Sequence, residues 1–222
     1  LNACRYPSIE PMIIPMNSEL SRFIAKPVGR GYSGVVNRMG MNGEVSPEQA
    51  RRIMDMLTDG GAMDNVNTPL ALRLIPLAEE LGDTKLVERL LTHAESSASD
   101  DVETGWVQFE SLRWHNASID EFVELAATTE KLTAGKPLSA AVLHHVGLLY
   151  LSAEKFDECR VFTTRSMRIR EQIEDQSGLV YSLAVLEACD KRQNLHDSAL
   201  MHGTRRLEIL QNLNDQEGLM ES

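Results

Sequence analysis

The chain has 222 residues, of which 42% are hydrophobic, 25% charged and only 5% aromatic, and its 33 acidic and 22 basic side chains leave a net charge of −11. That length holds one sizeable core or a short run of repeats. So acidic a surface argues against a general nucleic-acid-binding face and opposes attraction to anionic lipid. No apolar run reaches the roughly 20 residues that a membrane-spanning helix requires.

With so few aromatics the core must be built from Leu, Ala, Met, Val and Ile, a mixture that favours helix on helix over a β-sandwich. The three cysteines, Cys4, Cys159 and Cys189, form an odd set without CxxC spacing. They imply neither a disulfide framework nor a zinc site, and a reducing, cytoplasmic location is expected. Leu1-Asn2-Ala3-Cys4 has the form of a lipobox, the alternative being an exported lipoprotein, but a true lipobox needs an apolar signal segment before it. The opening Leu1, and a further helix expected to start at Gly218-Leu219-Met220, suit an excerpt from a longer protein.

Residues 1–45 are irregular. Pro7, Pro11, Pro15 and Pro27, with Gly29, Gly31, Gly34, Gly40 and Gly43, interrupt any long helix, and one short helix is expected at 18–25. Gly29-Arg30-Gly31-Tyr32-Ser33-Gly34-Val35-Val36 fits GxGxxGxV, a string that cradles phosphate where glycines let backbone N–H groups approach oxygen anions. The context needed for a nucleotide site does not follow. There is no lysine-bearing strand with HRD and DFG strings, and no βαβ unit with its acidic residue, so a loop is expected and no cofactor. Residues 46–66 read as a capping helix and loop: Ser46 is an N-cap, Pro47 occupies the first turn, and Ala50, Ile53, Met54 and Leu57 share a face.

From residue 67 onward the pattern repeats. Helices are expected at 69–81, 84–95, 102–115 and 119–132, then a pair within 138–174 that turns at Glu154-Lys155, then 178–192 and 196–213. The connections are short, so neighbours are antiparallel. Asp175-Gln176-Ser177-Gly178-Leu179 recurs 40 residues later as Asp215-Gln216-Glu217-Gly218-Leu219. Aligning second helices through Val87, Phe122, Cys159 and Ala199 gives steps of 35, 37 and 40, the spacing of a helix-turn-helix solenoid.

The unit at 138–175 carries Leu143, Val146, Gly147 and Tyr150 on its first helix and Phe156, Cys159, Thr163 and Ser166 on its second. In these residues, and in Trp106, Phe109, Leu183, Leu186, Ala199 and Leu207 of neighbouring units, the chain resembles the tetratricopeptide repeat (TPR) family. The 40-residue variety resembles the repeats of kinesin light chains and large bacterial signalling regulators. The resemblance covers about residues 68–220. It departs from the family pattern at Glu110 and Glu187, which replace a small residue of the first helix, and at Gly203, which replaces an aromatic. It implies an all-α, right-handed α-α superhelix of about four helical hairpins behind the irregular N-terminal segment.

In such a stack the first helices line a concave groove where peptides lie. Carried over by position, the groove comprises Ser111, Trp114 and His115, then His144, Leu148 and Ser152, then Tyr181, Lys191 and Arg192. The carboxylate clamp of chaperone-binding members is not expected, because its positions hold Val107, Ser111, His144, Leu148, Ala184 and Ala188. His144 and His145 point about 100° apart on a helix and cannot chelate one metal together. No nucleophile elbow or HExxH string appears, so neither catalysis nor a metal is expected. Arg160, Arg165, Arg168, Arg170, Arg205 and Arg206, interspersed with Glu171, Glu174 and Asp175, read as a solvated face laced with salt bridges, a basic patch for an acidic partner being the alternative.

The expected function is a scaffold for protein-protein interaction that binds a peptide or protein segment in its groove. The alternative is a regulatory or effector-sensing segment of a larger bacterial transcription or signalling protein. No nucleic acid is expected as a partner of this segment. Self-association through an exposed C-terminal repeat face is a further expectation, because stacking repeats leave their last face uncovered.

Overall fold

The computed structural model describes residues 63, 66–80, 82–132 and 135–220. The helices expected at 18–25 and at 46–57, the Gly-rich string and the Leu1–Cys4 string lie outside these residues. The described residues form eight α-helices and no strand: α1 (Thr68–Glu80), α2 (Thr84–Ser97), α3 (Asp101–Trp114), α4 (Ile119–Thr129), α5 (Lys136–Ser152), α6 (Phe156–Gln172), α7 (Gln176–Arg192) and α8 (His196–Met220). No described helix is long and apolar enough to cross a membrane. The chain divides into two compact units, Leu1–His115 and Asn116–Ser222. The expected second hairpin is thereby shared out, α3 closing the first unit and α4 opening the second.

In the first unit α1 and α2 pack together and α3 contacts both. Leu70, Leu74 and Ile75 of α1, Leu86, Val87 and Leu90 of α2, and Trp106 and Phe109 of α3 are buried. The α1–α2 turn places Gly82 at φ 70°, and the Asp83 N–H reaches back to the Ala78 carbonyl at 2.9 Å. Asp83 then caps α2 by accepting from the Leu86 N–H, and Asp100 caps α3 by accepting from Val102 and Glu103.

The second unit repeats one joint three times. Glu154, Glu174 and Asn194 adopt φ of 57°, 56° and 58°. The residue after each donates its N–H to a carbonyl five residues back, Lys155 to Tyr150, Asp175 to Arg170 and Leu195 to Asp190, each at 2.9 Å. These closures satisfy the last carbonyls of one helix while reversing the chain into the next. The helices α5, α6 and α7 are 17 residues long. Lys136 and Gln176 open α5 and α7, and Phe156 and His196 open α6 and α8, so the helix starts repeat with the 40-residue period of the sequence. Each helix packs on the next, α5 also touches α7, and Leu138, Leu143, Val146, Cys159, Leu179, Leu183, Leu186 and Ala199 are buried.

Several helix boundaries differ from expectation, and two of the differences have a visible cause. The first helix of the hairpin expected within 138–174 begins at Lys136 rather than 138, because Pro137 sits in the first turn, where its missing N–H costs nothing. The last helix runs on to Met220 through the second Asp-Gln-x-Gly-Leu string, where a turn was expected. At the first copy the break is held from outside. Arg170 donates to the Gly178 carbonyl and to Ser182 Oγ, and its guanidinium lies 3.8 Å from Asp175. The residue 40 positions after Arg170 is Leu210, which has no donor to hold such a break.

Candidate functional site

The nine residues expected in a groove fall into two groups, each described within its own unit. Ser111, Trp114 and His115 end α3 in the first unit. Trp114 Nε1 donates to Glu88 Oε1 on α2 at 2.6 Å, and His115 Nε2 lies 3.6 Å from the same oxygen. His115 Nδ1 lies 2.8 Å from the Ser111 carbonyl and 3.5 Å from its hydroxyl. Serine, histidine and carboxylate thus stand in the order of a nucleophilic triad. A carbonyl only accepts, however, so Nδ1 is a donor here and does not take the proton of Ser111. The cluster ties the end of α3 to α2 through Glu88, a residue without any marker in the sequence.

In the second unit Leu148 and Tyr181 are half-buried, while Ser152, Lys191 and Arg192 are exposed. Leu148 and Ala188 pack on a buried cluster of Leu151, Cys159, Val185 and Cys189. Arg192 donates to the Leu151 carbonyl at 3.0 Å, joining the C-terminal ends of α7 and α5, and Lys191 donates to Glu187 at 2.5 Å. With Val180 and Ala184, also half-buried on α7, these residues form a shallow apolar strip with a polar, basic end.

His144 differs from expectation. It is 1% exposed, so it stands inside the helix packing rather than on a groove wall. Burial, then the charges of Arg170 and His145, hold its pKa well below the usual histidine value. His145 instead rests against the Phe122 ring at a centroid distance of 4.6 Å. The two imidazoles diverge, as their helical spacing requires. Among the described residues no three His, Cys, Asp or Glu side chains are grouped as metal ligands.

Three of the arginines are laced as expected, Arg165 to Glu130, Arg205 to Glu171 and Arg206 to Glu187. Arg170 is the exception to the solvated face, being buried in the α6–α7 joint. Two arrangements carry no signal in the sequence. Tyr150 stacks on Phe162 at 5.5 Å, with Lys155 over the first ring and Arg165 over the second. The buried Asp190 carboxylate accepts from Ser198 at 2.6 Å, and lies 2.9 Å from both His202 Nδ1 and Arg160 Nη2. Both arrangements join residues more than one helical turn apart, so helical periodicity alone gives no sign of them.

No protein-family model matches the chain, and no curated protein matches it either. A functional reading therefore rests on the surfaces themselves. The strip on α5 and α7 can hold apolar side chains against Leu148 and Ala188 and an acidic group beside Lys191 and Arg192. It brings no nucleophile, base and oxyanion donor to one point.

Proposed function

We propose that the second unit is a TPR-like stack of helical hairpins that binds a peptide or protein segment along α5 and α7. The observation that carries this reading is the half-buried strip of Leu148, Tyr181, Ala184 and Ala188 on two first helices, ending at Ser152, Lys191 and Arg192. A solvent-facing strip of this kind loses little on its own but gains when a partner's apolar side chains cover it. The TPR-like character draws support from the 40-residue period of helix starts and from the three equal joints. It also draws support from the close α5–α6 approach at Gly147, the family's small position.

The test is a peptide array probed with the full chain and with Tyr181→Ala and Ala188→Glu variants that keep wild-type circular dichroism. Binding peptides should be rich in small apolar residues with an acidic flank, and both variants should lose them. Equal capture by wild type and variants would remove the strip as the binding surface.

A further inference from the structure

Directly beneath Leu148 and Ala188 lie two buried thiols. Cys159 is on α6, the second helix of one hairpin, and Cys189 is on α7, the first helix of the next. Both are fully buried in one cluster with Leu151 and Val185, and both are free. The Cys189 thiol donates to the Phe156 carbonyl at 3.5 Å, one turn before Cys159, whose own sulfur lies 3.9 Å from Thr163 Oγ1. The repeat itself does not call for sulfur at these places, since the residues one period away are Ala199 for Cys159 and Leu149 for Cys189. Two cysteines in one buried cluster are peculiar to this joint.

We infer that Cys159 and Cys189 are a redox clasp, forming a disulfide that joins the α5–α6 hairpin to the α7–α8 hairpin when the protein meets a small-molecule disulfide such as oxidised glutathione. One cysteine thiolate attacks the glutathione disulfide, forms a mixed disulfide and releases one glutathione thiolate. The second cysteine thiolate attacks the protein sulfur of that mixed disulfide, closes the 159–189 bond and releases the other glutathione. The two cysteine protons end on the two glutathiones, and the two electrons lost by the cysteine pair reduce one oxidised glutathione. Burial, ahead of the neighbouring thiol, pushes Cys159 up to about 12, and burial raises Cys189 as well. Both are therefore protonated while α7 sits on α6, and exchange begins when this joint opens. The clasp goes beyond peptide binding and does not depend on it. If the strip does bind a peptide, the clasp stiffens the floor under Leu148 and Ala188.

The experiment uses the full chain with Cys4→Ser, oxidised glutathione, and urea concentrations rising toward but below the unfolding midpoint. Peptide mass mapping should find the 159–189 crosslink, two hydrogens lighter than the dithiol, forming faster as urea opens the joint. The oxidised chain should have a higher thermal midpoint than the reduced one, reversed by a thiol reductant. Cys159→Ala, which places the residue of Ala199 at the equivalent site and should fold, is expected to leave only a glutathione adduct at Cys189. Stable adducts on both cysteines without a crosslink would overturn the clasp. So would a crosslink formed only in the fully unfolded chain, or one that lowers the midpoint.

Discussion

Gly147 of α5 lies so close to Thr163 of α6 that a methyl group on it would overlap Thr163 Oγ1 and sit 3.4 Å from the Thr163 backbone nitrogen. One period later the sizes are exchanged. Glu187 stands where Gly147 stood and Gly203 where Thr163 stood, and a methyl group on Gly203 would meet the Glu187 carboxyl carbon at 3.3 Å. Glu187 and Gly203 thus form a single compensated pair. Each of these two hairpins has one small and one larger residue at its crossing, and only the side that carries the glycine differs.

Gly147→Ala is expected to destabilise the chain by about 1–3 kcal/mol, because the added carbon must push α6 away along a packed seam. Thr163→Ala in the same chain should recover much of that loss, and urea unfolding of the double-mutant cycle measures the coupling. Gly203→Ala should cost less, since its obstacle is the far end of a flexible glutamate.

Asp190 gathers Arg160 from α6 and Ser198 and His202 from α8 onto one buried carboxylate. Asp190→Ala should cost about 3 kcal/mol, the lower part of the range for breaking a buried pair, because Arg160 retains some access to water. Arg205→Ala, which breaks the exposed pair with Glu171, should cost below about 1 kcal/mol. Chemical denaturation of the two variants side by side checks the contrast.

His144 is neutral in the folded chain, its pKa lowered by burial and by the charges of Arg170 and His145. The unfolded chain binds a proton there near the ordinary value of 6.5, so it holds more protons than the native state below that pH. The stability contributed by His144 is therefore present above about pH 6.5 and lost as the pH falls below it, by up to about 1.4 kcal/mol per pH unit. Unfolding free energies measured from pH 7.5 down to pH 5 should decline, and His144→Gln should flatten that part of the slope.

Glu154, Glu174 and Asn194 hold left-handed backbone in the three joints, a conformation that is costly to a side chain with a Cβ. Glu154→Gly should stabilise the second unit by about 0.5–1 kcal/mol after the added freedom of the unfolded chain is offset. Asn194→Gly should gain less, because asparagine tolerates this region. Thermal unfolding of the two variants ranks them.

The helices, their order and their period were legible in the sequence because a helix start depends on neighbours within a few residues. Capping by Asp83, Asp100 and Asp175 and the apolar spacing of three and four are all local. The expected groove residues are placed by packing that the sequence does not state. Leu148 rests on the cluster of Leu151, Cys159, Val185 and Cys189 and Arg192 reaches the Leu151 carbonyl, whereas His144, expected on a groove wall, is enclosed.

Position in a helix decides which way a residue points, but burial depends on what packs there. The same Asp-Gln-x-Gly-Leu string shows the limit. It breaks the helix at Asp175, where Arg170 reaches across to Gly178, and lies within a continuous helix 40 residues later, where Leu210 takes the place of that arginine. Local sequence determined that this chain is helical, where most helices begin and at what period they recur. Only the tertiary structure decided which turns form, that His144 and Asp190 are buried, and that Cys159 and Cys189 share one buried cluster. Each of these depends on contacts between residues far apart in the chain.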